Sequence, residues 1–199
     1  MTWVKLCGMT RPEDVMEAVA AGADAVGFVL APGSPRRVTV EEAGRLGRGV
    51  EVGRYLVTVD LTPELLLETA AAAGVDGVQP HGRYRVEATT AALAAGLEVL
   101  FPVAVAARID LDAVPAAAVP ILDTAVPGRH GGTGRVFDWS LAAGLGRAVV
   151  LAGGLTPENV AAAVATAAPW GVDVSSGIES GPGVKDPEKM RRFVEAARW

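Results

Sequence analysis

The sequence predicts an α/β fold: a compact (β/α)8 barrel with one helix, after the fifth strand, reduced or missing. Three observations carry this reading. Eight short apolar runs alternate with alanine-rich helical stretches. The runs are almost continuously apolar, as strands are when a parallel sheet is covered on both faces. A weak repeat also runs through the chain: Ala21-Gly22-Ala23-Asp24-Ala25-Val26 resembles Ala73-Gly74-Val75-Asp76-Gly77-Val78, and related pieces stand at 95–99 and 170–174. The glycines at 22, 74, 96 and 171 fall at multiples of roughly 25 residues, and eight such units fill the 199 residues.

Each element follows in order. The first strand, 4–7, leads through Thr10-Arg11-Pro12-Glu13, with Thr10 read as N-cap, into a helix at 13–21. Strands at 25–30, 55–59 and 77–79 precede helices at 40–46, 63–73 and 85–95. The fifth strand, 98–103, is followed by 106–119, where Pro115 and the lack of periodicity leave room for a loop or one turn. The sixth strand is 120–123, and Asp138 beyond it reads as an N-cap. The seventh, 148–152, runs through Thr156 as N-cap into a helix at 157–167; the eighth, 172–175, runs through Asp186 into a helix at 187–198. The repeat glycines suit the left-handed residue that ends a helix. An open doubly wound sheet is the alternative, and the strand count favours the closed TIM barrel.

Composition narrows the function. Half of the residues are hydrophobic and mean hydropathy is +0.32, which excludes disorder and permits one sizeable core, read as a single domain over 1–199. No run of about 20 apolar residues suggests a membrane span, and the N-terminus lacks a signal peptide's pattern, so a cytoplasmic protein is expected. Net charge is −5 with scattered arginines, a poor match to nucleic acid. Cys7 is the one cysteine and there are two histidines, so neither a disulfide nor a cysteine-based zinc cluster is expected. Neither metal nor cofactor is expected.

Chemistry in a barrel gathers at the C-terminal ends of the strands. Cys7 ends the first strand before a glycine turn; it is either a small buried hydrophobe or a reactive thiol. Lys5 shares its parity, so both side chains point inward, and the ammonium is expected to favour the thiolate. Asp123 ends the sixth strand, where partial shielding raises a carboxyl's pKa and suits it to general-acid work. Glycine turns after strands seven and eight, with Gly153, Gly154, Ser176 and Gly177, have the placement of a phosphate grip. Arg36 after the second strand is suited to hold a carboxylate bidentately. His81 after the fourth is a polar wall residue or a structural histidine. The stretch 128–134, with His130 and Arg135 nearby, suggests a loop over the mouth. Asp173 on the eighth strand is placed to pair with Lys5 inside the barrel.

Together these residues resemble the phosphoribosylanthranilate isomerase family. The matching pieces include Lys5-Leu6-Cys7-Gly8-Met9-Thr10, Gly22-Ala23-Asp24-Ala25-Val26-Gly27-Phe28, Ser34-Pro35-Arg36, Val78-Gln79 with His81-Gly82, and Leu122-Asp123. Gly131-Gly132-Thr133-Gly134-Arg135, Gly153-Gly154-Leu155 and Asp173-Val174-Ser175-Ser176-Gly177-Ile178-Glu179 continue the match in order. The resemblance implies an Amadori rearrangement of N-(5-phosphoribosyl)anthranilate in tryptophan biosynthesis, by general acid and base catalysis without metal or organic cofactor. It makes Cys7 the base and Asp123 the acid, puts Arg36 near the anthranilate, and gives the late glycine turns the phosphate. The partner is a small phosphorylated substrate, and the chain is a monomer or homodimer. His81, Lys5 and Asp173 complete the substrate-binding set. The sequence departs from the family at Pro80, Asp60 and Thr58, and 100–103 lacks the usual lysine.

Other readings fit less well. An indole-glycerol-phosphate synthase relative needs a catalytic lysine and glutamate, whereas two of the three lysines here lie near the C-terminus. The related histidine-pathway isomerase expects an aspartate where Cys7 stands. A cysteine hydrolase lacks an oxyanion-hole motif. A non-catalytic phosphosugar-binding barrel is the alternative outside enzymes, and intact Cys7 and Asp123 argue against it.

Overall fold

The computed structural model describes residues 1–124 and 136–199. Its strands are β1 (Trp3–Cys7), β2 (Ala25–Val29), β3 (Gly53–Val59), β4 (Gly77–His81), β5 (Glu98–Val105), β6 (Val119–Thr124), β7 (Val150–Leu151), β8 (Gly171–Val174), β9 (Glu179–Gly181) and β10 (Val184–Lys185). The helices are α1 (Pro12–Ala20), α2 (Val40–Leu46), α3 (Pro63–Ala73), α4 (Arg85–Ala94), α5 (Val160–Ala167) and α6 (Pro187–Ala197). Strands β1 to β8 form a closed barrel in chain order, and β8 returns to β1 in parallel register with Lys5 opposite Asp173.

Strand alternation sorts the side chains. Val4, Leu6, Val26, Phe28, Leu56, Val78 and Leu122 face outward and join one cluster with the helices. Inside, Ala25, Tyr55, Leu100, Ile121 and Val150 fill the floor, and Cys7, Val29 and Val57 form a smaller group above. The floor is thus packed and apolar, and the polar inward residues stand at the C-terminal mouth.

No helix is present between β5 and β6 among the described residues, as Pro115 and the missing periodicity suggested. After β6, Asp138 accepts from Ser140 N at 3.0 Å and caps a single 3-10 turn, Trp139–Ala142. Local capping departs from expectation at two helices. The N-cap of α1 is Arg11, without a side-chain bond, because the Thr10 hydroxyl donates instead to the Gly183 carbonyl at 2.8 Å. Helix α5 starts only at Val160, after a turn in which Thr156 Oγ1 accepts from Glu158 N and Asn159 Oδ1 from Thr156 N.

Gly171 departs from its expected role as well. The left-handed residue ending α5 is Ala168 (φ 46), and Gly171 opens β8 against Trp3. A Cβ there would come within 2.8 Å of the Trp3 ring. The hairpin β9–β10 adds to the elements that apolar runs and helical spacing predict, and its turn lies at Gly181-Pro182-Gly183. Among the described residues, no helix is long and apolar enough to cross a membrane.

Candidate active site

The mouth of the barrel opens into a cavity lined by Cys7, Asp123, Asp173, Gln79 and His81, with Arg36 and the loops after β7 and β8 at its rim. Alternation explains the set. Lys5 and Cys7 point inward because Leu6 points to the helices, and Gln79 and His81 do so because Pro80 between them faces out. Pro80 pairs with Thr58 on β3, so both departures lie on the helical side of the wall. Proline has no N–H to give, and the β4–β5 pairing stops below it at Val78 and Val99.

A polar chain crosses beneath the cavity. Lys5 Nζ donates to Asp173 Oδ1 at 2.8 Å and to Gln79 Oε1 at 3.2 Å. An ammonium only donates, so the amide oxygen of Gln79 faces Lys5 and its NH2 faces His81 Nε2 at 3.2 Å. The imidazole therefore accepts at Nε2. Burial alone would lower the Lys5 pKa, but the charge of Asp173 and then that of Cys7 hold it above its ordinary value. Lys5 is fully buried and does not itself line the cavity.

Cys7 has room because its neighbour on β2 is Gly27: a Cβ there would stand 2.6 Å from Sγ. The expectation that Lys5 makes this sulfur a thiolate is corrected. Burial raises the thiol pKa and outweighs the pull of Lys5, because the ammonium is already engaged by Asp173, whose charge opposes the thiolate. At Asp123 the expected rise in pKa is present. Burial, then the charge of Asp173, raises it to about 6 against the opposing Thr124 backbone N–H.

The glycine turns serve packing as well as exposure. Gly153 (φ +76) sits where any side chain would overlap Asp123 Oδ1, so it makes space for the acid. Gly153, Gly154 and Ser176 line the cavity. Gly177 does not; its missing side chain lets the loop after β8 rest on the Leu155 carbonyl. The stretch 128–134, with His130 and Arg135, lies outside the described residues.

Arg36 does hold a carboxylate bidentately, but the partner is the chain's own Glu179, at 2.6 and 2.8 Å. Lys185, buried behind it, donates to the same carboxylate at 2.9 Å. Burial would raise the Glu179 pKa, but the Arg36 bonds and the Lys185 charge hold it below its ordinary value. Sequence reasoning did not assign Gln79, Glu179 or Lys185 to the site. Gln79 was detectable from its parity with His81; the other two depend on how the hairpin folds back. Among the described residues no group of three or more His, Cys, Asp or Glu side chains could hold a metal ion.

A thiol and a carboxyl of raised pKa share the C-terminal mouth of a closed (β/α)8 barrel, the end at which barrel enzymes carry their chemistry. A family model described as N-(5'phosphoribosyl)anthranilate (PRA) isomerase matches residues 4–196. The N-(5'-phosphoribosyl)anthranilate isomerase of Rubrobacter xylanophilus is 43% identical over 205 residues, covering 100% of both chains. The crystal structure of phosphoribosyl anthranilate isomerase from Thermotoga maritima superposes with a TM-score of 0.86 at 36% identity, over 100% of this chain and 99% of that one. A phosphoribosyl anthranilate isomerase solved with reduced 1-(o-carboxyphenylamino)-1-deoxyribulose 5-phosphate gives 0.82 at 36% identity, with the same coverage. The chain belongs to the N-(5'-phosphoribosyl)anthranilate isomerase family.

Proposed function

We propose that the chain rearranges N-(5'-phosphoribosyl)anthranilate to 1-(2-carboxyphenylamino)-1-deoxyribulose 5-phosphate, the isomerase step of tryptophan biosynthesis, with Asp123 as general acid and Cys7 as general base. The observation that carries this assignment is that both side chains open into one cavity while the Asp123 pKa stands at about 6. The protonated Asp123 gives its proton to the furanose ring oxygen. The C1–O bond breaks and the nitrogen lone pair forms a C1=N iminium. That cation acidifies the C2 proton, which Cys7 thiolate removes. The C2–H electrons form the C1=C2 bond and the iminium electrons return to nitrogen. The resulting enol-amine tautomerises to the ketone by gaining a proton at C1 and losing one from the C2 hydroxyl.

Gly153, Gly154 and Ser176 receive the phosphate on the loops after β7 and β8, and Gly177 lets the second loop rest against the first. Arg36 faces the anthranilate, and Asp173 and His81 face the sugar. Lys5 acts from below, through its bonds to Asp173 and Gln79. The test follows the fluorescence change as phosphoribosylanthranilate is consumed. Each acid–base partner is worth about 10²–10⁴ in rate, so Cys7→Ala and Asp123→Asn should each lose at least 10² in kcat while phosphate binding persists. Near-normal turnover in either variant would refute its role. A binder without activity would leave the wild-type signal unchanged.

A further inference from the structure

The rim of the cavity carries a positive charge that the acid–base pair does not use. Two cations, Arg36 and Lys185, share the single carboxylate of Glu179. The trio is shielded, with side-chain exposures of 15% for Arg36, 0% for Lys185 and 6% for Glu179. One positive charge is left over within it, and of the three only Arg36 lines the cavity.

Guanidinium geometry fixes how that charge is presented. Arg36 Nε and Nη2 donate to the two Glu179 oxygens, so Glu179 occupies the side-on edge. The end-on edge, Nη1 with the second Nη2 proton, has no partner among the described residues. Its fork matches a second carboxylate. The stem is confined too: a Cβ on Gly8, the residue after Cys7, would come within 2.6 Å of Arg36 Cδ. Lys189 Nζ donates to the Glu179 carbonyl at 2.7 Å, and Lys185 Nζ to the Ser175 carbonyl at 3.0 Å, so the brace behind Arg36 is itself anchored.

We propose that Glu179 is a positioning residue, which holds Arg36 side-on so that its end-on edge receives the aryl carboxylate of the substrate. This rests on the isomerase reading and deepens it. Fixing the guanidinium in advance removes the ordering cost that a free arginine meets on binding, and makes the preference for a carboxylated aryl amine depend on a residue that never touches it.

The test uses two inhibitors: reduced 1-(o-carboxyphenylamino)-1-deoxyribulose 5-phosphate and its analogue lacking the carboxyl. In Glu179→Gln, affinity for the first should fall about tenfold and for the second less than about threefold, with KM rising and kcat nearly unchanged, as for lost uniform binding. Equal losses for both inhibitors would make Glu179 a scaffold residue, and unchanged or tighter binding of the carboxylated one would make it a brake on charge; either overturns the proposal. If Glu179→Gln does not fold, wild-type nitrogen spectra decide. The Arg36 Nε–H signal should stay put when the carboxylated inhibitor binds, and an Nε–H released from Glu179 would overturn the proposal. Absence of wild-type turnover would instead defeat the isomerase reading itself.

Discussion

Asp123 and Cys7 rest in the protonation states opposite to those that the proposed rearrangement uses. At neutral pH a carboxyl titrating at about 6 is mostly ionised, and a thiol raised above its ordinary 9.0 is mostly protonated. The active arrangement, protonated acid with ionised thiol, contains the same number of protons, so its share stays constant between the two pKa values. The kcat/KM profile should therefore be flat from about pH 6 to above pH 9 and fall on both sides. An optimum confined below pH 6 would contradict the assignment. In Asp123→Asn the residual rate should have no acid-side plateau and should climb with pH until the thiol ionises. The same substitution should stabilise the fold. The carboxyl moves from its ordinary 3.8 to about 6, so it is neutral in both folded and unfolded states at low pH and costs nothing there. The cost enters as pH rises between those two values and is complete above them. Urea unfolding at pH 7 should show Asp123→Asn more stable by about 1–3 kcal/mol, with the gain vanishing below pH 4.

Strand β1 joins the barrel's closing seam to the proposed base, Cys7. Its register against β8 sets Lys5 beside Asp173, and the buried ion pair locks the seam directly under Cys7. Removing one partner strands a buried charge, at about 3–5 kcal/mol, whereas removing both does not. Lys5→Met should thus destabilise more than Lys5→Met with Asp173→Asn, measured by denaturant unfolding; a double-variant loss equal to the sum of the two single losses would show that the pair contributes no coupling. This pair was legible from parity and strand order alone, as were the strands, because continuous apolar runs with helical spacing between them admit few arrangements. Cys7 and Asp123 were legible as polar residues at strand ends. The brace was not, since Arg36 and Glu179 meet across 143 residues of chain and no local pattern records the contact. Nor was the protonation of Cys7: its proximity to Lys5 is written in the sequence, but its depth of burial is a property of the packed barrel. Gly171 escapes the local pattern for a similar reason, because a glycine required by the ring of Trp3 looks the same in sequence as one required by a helix end.

Across the whole barrel, stability and chemistry occupy opposite ends. At the floor Trp3 stacks on Trp170 at 4.9 Å and meets Tyr55 edge-on at 6.0 Å, and the Tyr55 hydroxyl donates to Glu98. At the mouth stand Cys7 and Asp123, the proposed base and acid. Trp3 and Cys7 are the two ends of β1, four positions or about 13 Å of strand apart. Substitution at the floor should reach the mouth only if the barrel deforms as a unit. A closed sheet resists that, because every strand is bonded on both sides. Trp3→Ala removes both ring contacts, and should cost about 2–4 kcal/mol in urea unfolding while leaving kcat within about threefold of wild type. A loss of kcat in proportion to the loss of stability would mean that floor packing tunes the distance between thiol and carboxyl. The independence argued here would then give way to a barrel whose site is held in shape from below.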